Sequence, residues 1–212
     1  MKDLPVFTTE RGAASLILRE IPSRQTAYIR IQDSLEPEAF VKECADFCRA
    51  CGAERIYATG HETLEAYPLH TAVLEMTGTA WVDRQQLARV FPVTDATAGR
   101  WREIYNQRMA EVDNAQTLEA GDERRIAESV GAYFIHDDGN LLGIGWLEDC
   151  KLLAVAAAKP GAGERVMHTL MSLVEGDEMT LEVASTNQRA IRLYEKLGFL
   201  KRREISRWYA IP

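Results

Sequence analysis

The chain predicts an α/β protein with a mixed sheet, built around two successive strand–turn–helix units. In the first unit, an apolar strand over residues 151–157 leads through a glycine-rich turn into apolar residues at helical spacing. In the second, a strand over residues 180–184 leads through a polar turn into an amphipathic helix that stops at Gly198. Two such units in tandem predict a βαβα core.

The turn of the first unit is suited to binding an anion. Gly161 and Gly163 allow a positive φ and a close approach of the backbone to a ligand. The helix that follows directs unpaired N–H groups and a partial positive charge at the turn. A glycine turn before a helix is also common for structural reasons alone, so the second unit is needed for the interpretation. The apolar residues at helical spacing are Val166, Met167, Leu170, Leu173 and Val174.

The N-terminal half predicts a similar order of elements, as in a degenerate internal repeat. Strands are predicted over residues 14–21, 26–31, 55–59 and 73–76, with a helix over residues 38–51 and a short helix before the last strand. In place of the glycine turn this half has Asp33, Glu36 and Glu38. Carboxylates repel an anion, so this copy is expected to be structural or to face the substrate.

The remaining elements complete the second half. Helices are predicted over residues 97–112 and 122–130, where apolar residues recur at helical spacing. Strands over residues 132–136 and 141–147 flank an Asp-Gly turn typical of a hairpin. After Phe199 there is room for one strand but not for a closing hairpin. The edge left open predicts pairing with the N-terminal half or with a partner chain, as in a homodimer.

Composition excludes some classes of function. A formal net charge of −7 argues against general binding to nucleic acid and favours a neutral or cationic ligand. The sequence has no apolar run of the roughly twenty residues needed to cross a bilayer and no secretory stretch at its start, so no membrane association and a cytoplasmic location are expected.

Three cysteines have a spacing that occurs in iron–sulfur enzymes. Cys44, Cys48 and Cys51 form a C-x3-C-x2-C pattern, which would indicate a cluster-binding protein. They also lie at helical spacing with Phe40, Val41 and Phe47 after an acidic, proline-containing helix start. Buried cysteines on a helix face behave as small apolar residues. We therefore expect a structural helix and no metal.

With both units in view, the chain resembles the GNAT superfamily of acyl-CoA-dependent N-acyltransferases. Residues 187–199 read like the family signature N-x-x-A-x-x-L-Y-E-K-x-G-F, and the resemblance extends from about residue 91 to the end. It implies a GNAT-like fold, with residues 91–212 as the N-acetyltransferase domain and residues 1–90 as a degenerate GNAT-like domain. The family's pyrophosphate loop reads Q/R-x-x-G-x-G/A, and this chain has Ala158 at the first position. Lys159 or Arg165 is expected to supply the missing polar contact.

The resemblance implies transfer of an acetyl group from acetyl-CoA to a primary amine of a small molecule or peptide, without a metal. Free N–H groups of Val155 or Ala157 would hold the thioester carbonyl and stabilise the oxyanion. Tyr194 would be the general acid for the leaving thiolate, although it also fits the apolar stripe of its helix. Asn187 would bind the pantetheine arm, cap the helix, or do both. The full set implied to bind the cofactor is Val155, Ala157, Lys159, Gly161, Ala162, Gly163, Glu164, Arg165, Asn187 and Tyr194.

The general base has several candidates. Glu182 lies in a strand that reads as buried, where a carboxylate must be paired or functional. Glu148, Asp149 and His136 are alternatives, and a chain of water molecules is another. The lost Gln/Arg at Ala158 and the absence of an obvious base favour a competing reading, a non-catalytic acyl-CoA-binding or interaction module.

Overall fold

A computed structural model describes residues 5–79, 82–83, 85 and 87–212. The chain divides into two compact units, Met1–Val73 with Glu204–Pro212, and Leu74–Arg203. The C-terminal residues therefore return to the first unit. The predicted division into a degenerate GNAT-like domain of residues 1–90 and an N-acetyltransferase domain of residues 91–212 stays a prediction.

The first unit is a sheet with one main helix. Its described strands follow the order β1-β2-β3-β4-β11, with β3 and β4 parallel and the neighbouring β2–β3 and β4–β11 pairs antiparallel. Two strands are shared with the second unit, since β5 begins in the first unit and β11 ends there. The elements are β1 Val6–Thr9, β2 Gly12–Ile17, α1 Ile21–Arg24, β3 Thr26–Ser34, α2 Pro37–Ala50, β4 Arg55–Thr59, a 3-10 helix Glu62–Ala66, β5 Leu69–Thr79 and β11 Leu200–Ile211.

The core of the first unit confirms the structural reading of the cysteines. Helix α2 starts at Pro37 and runs without a break through Cys44 and Cys48, which are both fully buried among apolar side chains. Burial raises the pKa of the Cys44 thiol to about 12 and that of Cys48 to about 11. Cys51 was predicted to lie on the same buried face, but it follows the end of the helix and is exposed, so this part of the prediction is wrong.

The second unit carries the two strand–turn–helix units. Its described strands follow the order β5-β10-β9-β8-β7-β6, with β10 parallel to β9 and the strands from β9 to β6 antiparallel. The elements are β6 Arg89–Pro92, α3 Ala98–Met109, a 3-10 helix Ala120–Asp122, α4 Glu123–Glu128, β7 Ala132–Asp137, β8 Asn140–Glu148, β9 Lys151–Ala157, α5 Gly163–Met171, β10 Glu178–Ala184 and α6 Gln188–Lys196.

Helix α5 lies very close to β8 because two residues of β8 that face the helix are glycines, which have no side chain. A Cβ added at Gly145 would lie 2.4 Å from the Leu170 Cδ2 atom of α5, and one at Gly143 would lie 2.8 Å from Val166 Cγ2. On the other side of the core, Trp101 is fully buried and its ring packs edge-on against Trp146 at 5.9 Å. Trp101 and Trp146 therefore fill the core.

Most predicted elements are confirmed, with shifts at their ends. The strands over residues 55–59 and 151–157 have the predicted bounds. The strand predicted over residues 14–21 ends at Ile17, because α1 begins at Ile21 with a proline in its first turn. Helix α5 ends at Met171, before Leu173 and Val174. Strands β1 and β6 were not predicted from the sequence.

Candidate active site

The opening of the candidate site lies between β9 and β10, which diverge. Their parallel ladder has only the pairs Lys151–Thr180 and Leu152–Leu181, and the described strands have no further ladder pairing beyond them. A bulge accompanies the divergence, because Leu147 of β8 pairs with Leu152 while Trp146 pairs with Ala154. The extra residue in β9 is thus Leu153. A bulge increases the local twist of a strand, which turns the rest of β9 away from β10.

Two backbone N–H groups of β9 face this opening. The Ala158 N–H donates to the Leu142 carbonyl at 2.7 Å, in register with the β8–β9 ladder. Hydrogen-bonded pairs alternate along an antiparallel ladder, so Ala156 also bonds to β8. Val155 and Ala157 consequently direct their N–H groups to the opposite edge, where β10 has moved away. These are the two residues predicted to have free N–H groups, and their binding role stays a prediction.

The glycine turn leads directly from β9 into α5. Gly161 has φ +82°, and a Cβ there would meet no atom within 4 Å, so the turn is open on its outer side. The first bond of the helix runs from the Val166 N–H to the Ala162 carbonyl, which leaves the N–H groups of Gly163 and Glu164 ahead of the helical ladder. Ala162 itself is buried, and its N–H donates to the Lys159 carbonyl at 3.3 Å.

The charges around the turn are partly neutralised in pairs. Arg165 donates to Asp137 at 2.6 Å, and this bond holds the pKa of the Asp137 carboxyl below its usual value. On the other side, Lys196 of α6 pairs with Glu164 at 2.6 Å, so the carboxylate at the start of α5 is compensated. Of the two cations predicted to replace the missing loop residue, Arg165 is thus already engaged, whereas Lys159 is exposed.

A further cation at the turn comes from α3. The Arg108 guanidinium donates to the Ala158 carbonyl, at the loop position where the family pattern has Gln or Arg. Arg108 precedes Ala158 by fifty residues, and the sequence has no pattern that links the two. Only the packing of α3 reveals it.

Helix α6 positions the two signature residues. The Asn187 side chain accepts a hydrogen bond from the Ala190 N–H at 3.2 Å, which confirms its role as the N-cap. Gly198 has φ +86° directly after the helix, which confirms the left-handed cap. Tyr194 is only 7% exposed, and its ring lies 5.9 Å from that of Phe199. Burial raises the pKa of the Tyr194 phenol to about 12, so the phenol is protonated at neutral pH.

The candidate bases lie on different elements of the second unit. Glu182 is exposed and pairs with the Lys151 ammonium at 2.5 Å, so the prediction that it lies buried is wrong. The reason is that β10 alternates, with Leu181 and Val183 facing inward. Glu182 nevertheless follows the last ladder pair directly and lies where the strands separate.

The other candidates lie elsewhere in the unit. Glu148 and Asp149 are at the exposed β8–β9 turn, at the end of β9 away from the glycine turn. The His136 ring packs edge-on against Phe91 at 5.4 Å on β7. In the described part of the chain, no group of three or more His, Cys, Asp or Glu side chains could hold a metal ion.

The first unit repeats the order of elements but lacks the opening. Strands β3 and β4 pair without a break over five residues, from Thr26–Arg55 to Arg30–Thr59. The N-cap of α2 is Glu36, whose carboxylate pairs with Arg11 at 3.1 Å. With paired strands and a carboxylate at the helix start, this unit does not offer the same site.

Comparisons with known proteins agree with this geometry. A family model described as FR47-like protein matches residues 154–209, which run from within β9 through α5, β10 and α6 into β11. No curated protein matches the sequence. A GCN5-related N-acetyltransferase from Kribbella flavida has a similar structure, with a TM-score of 0.62 and 11% identity over 96% of this chain and 58% of that chain.

Two other solved structures align over most of the chain. A GCN5-related N-acetyltransferase from Anabaena variabilis gives a TM-score of 0.60 and 12% identity, over 87% of this chain and 54% of that chain. A conserved protein of unknown function from Staphylococcus epidermidis gives 0.59 and 9%, over 98% and 93%. The chain therefore has the GNAT fold, and the resemblance to the GNAT superfamily predicted from its sequence is confirmed. Within the described residues, no helix has the length and apolar character needed to cross a membrane.

Proposed function

We propose that this protein is an N-acyltransferase that moves an acetyl group from acetyl-CoA to a primary amine of a small molecule or peptide by direct attack. The observation that carries the proposal is the separation of β9 from β10 next to an open glycine turn at the start of α5. The opening admits an extended chain such as the pantetheine arm of acetyl-CoA. The glycine turn binds the pyrophosphate of the same molecule.

The residues of the opening have distinct parts in the transfer. The Val155 or Ala157 N–H donates to the thioester carbonyl oxygen and stabilises the negative charge that develops on it. As the amine nitrogen bonds to the carbonyl carbon and the carbon–sulfur bond breaks, the Tyr194 phenol gives its proton to the departing thiolate. Burial raises the pKa of Tyr194 to about 12, so the phenol is available in its protonated form and gives up its proton only to a strong base such as the departing thiolate.

The proton of the attacking amine leaves on the side of Glu182. We propose Glu182 as the base because its carboxylate lies where β9 and β10 separate, beside the Lys151 ammonium. Glu148 is the second candidate, and its position at the β8–β9 turn makes a relay through water necessary. At the other end of the opening, Lys159 and Arg108 provide positive charge for the phosphates in place of the missing loop residue.

A turnover assay tests the proposal. Purified protein is incubated with acetyl-CoA and a panel of polyamines, amino sugars and lysine-containing peptides, and release of the free thiol is followed optically. Thiol release that depends on one amine class, with the acetylated amine identified by mass spectrometry, is the expected result. A rise in the unfolding midpoint with acetyl-CoA but no turnover with any amine would favour the alternative, a non-catalytic acyl-CoA-binding module.

Ala158 is the observation that favours this alternative, because it lacks the side chain that the family pattern has there. We also propose that the first half is a degenerate copy that binds no acyl-CoA, in line with its closed β3–β4 ladder. A cytoplasmic location and pairing with a second copy of the chain stay predictions.

A further inference from the structure

A short segment connects the ends of the two diverging strands. We name residues 108–114, which begin with the last two residues of α3, the α3–α4 bridge. At one end Arg108 donates to the carbonyl of Ala158, the residue after β9. At the other end Asp113 accepts a hydrogen bond at 2.6 Å from the Thr186 hydroxyl, two residues after β10. The bridge therefore spans the mouth of the opening between β9 and β10.

Asn114, at the end of the bridge, is in an unfavourable state. Its φ of +58° lies in the left-handed region, which asparagine adopts more readily than most other residues except glycine. Its side-chain oxygen and nitrogen are both buried, and neither has a hydrogen-bond partner among the described residues. Buried polar groups in folded proteins are nearly always hydrogen-bonded, and an unsatisfied one needs an explanation. A ligand that satisfies this amide would remove the penalty.

We propose that the bridge shifts when acyl-CoA enters the opening, and that Asn114 then binds one of the amide groups of the pantetheine arm. This inference rests on the proposed function. The Asn side chain offers both a donor and an acceptor, which matches the N–H and C=O of a secondary amide. The phosphates, by contrast, are anions and suit the glycine turn, so the two parts of the ligand are recognised by different elements.

The two hydrogen bonds named above, one at each end of the bridge, lie at the surface. Arg108 and Thr186 are both exposed, and water can replace an exposed hydrogen bond at little net cost. Entry of the pantetheine arm between β9 and β10 would exchange these surface bonds for a bond at the buried amide. Asn114 would then contribute to affinity for ligands that carry pantetheine and not to affinity for the nucleotide part.

The test compares two ligands on two variants. Asn114→Gly removes the amide but keeps the positive φ without strain. Calorimetry measures dissociation constants for coenzyme A and for 3′-phospho-ADP, the part of coenzyme A without pantetheine. We expect Asn114→Gly to bind coenzyme A about tenfold more weakly, the effect of losing roughly one hydrogen bond, and 3′-phospho-ADP with unchanged affinity. The matched control is Asn140→Gly, at an exposed hairpin turn, which should change neither constant.

The outcomes separate this inference from the proposed function. If wild-type protein binds both ligands and Asn114→Gly leaves the ratio of the two constants unchanged, the role of Asn114 is refuted while the proposed function stands. The same conclusion follows if the variant weakens both ligands equally and lowers the unfolding midpoint, because the amide would then be structural. If wild-type protein binds neither ligand, the proposed function fails and this inference fails with it.

Discussion

Replacing Tyr194 with Phe removes a single hydroxyl and leaves the packing of α6 in place. Tyr194 is 7% exposed with its ring 5.9 Å from that of Phe199, and burial alone raises the pKa of its phenol. The free energy of unfolding should therefore change by less than about 1 kcal/mol. A general acid contributes at least about 100-fold to the rate, so kcat should fall by this factor or more. Release of free thiol from acetyl-CoA with the identified amine measures kcat.

Affinity for coenzyme A separates catalysis from binding in this experiment. Because the phenyl ring is retained, the dissociation constant measured by calorimetry should be unchanged. The control is Tyr133→Phe, which removes a hydroxyl that donates to the Val130 carbonyl at 2.8 Å on the exposed side of β7 and should leave kcat unchanged. An unchanged kcat in Tyr194→Phe would refute the acid role, and Tyr194 would then be a core residue only.

Three further predictions concern the turn, the packing of α5 and the pH profile. Arg108→Gln should weaken coenzyme A binding about three- to tenfold, because an exposed charge-assisted bond contributes ~1 kcal/mol, and the effect should be smaller at high salt. Arg100→Gln, on the same helix, is the control. Equal effects of the two substitutions on binding would contradict the role of Arg108. Gly145→Ala should lower the free energy of unfolding by about 1–3 kcal/mol in a denaturant titration, because its Cβ would lie 2.4 Å from Leu170, whereas Gly121→Ala meets open space and should be neutral. Because burial raises the pKa of Tyr194 to about 12, the phenol keeps its proton above pH 10, so kcat should not fall between about pH 8 and pH 10.5. A fall centred near 10, the ordinary pKa of tyrosine, would contradict burial of the acid.

The sequence predicted the elements better than it predicted the surroundings of single side chains. Strand β9 was predicted with its correct ends, because an apolar run was bounded by a polar turn and a glycine turn. Glu182 was predicted in the correct strand, but it was predicted to be buried and is exposed. The alternation of residues along a strand indicates two faces, but it does not indicate which face solvent reaches. The same limit applies to Cys51, which follows the helical spacing but lies beyond the end of α2.

Local sequence was sufficient to determine the βαβα order, the positive φ at Gly161 and Gly198, and the helix cap at Asn187. These features depend on residues within a few positions of each other, where propensity, capping and turn chemistry act directly. Only the tertiary structure decided that β9 and β10 separate after two ladder pairs, while β3 and β4 stay paired over five. It also decided that Arg108 reaches Ala158 and that the amide of Asn114 is buried without a partner. Strand divergence, burial and contacts across fifty residues depend on how whole elements pack, and no local pattern encodes that packing.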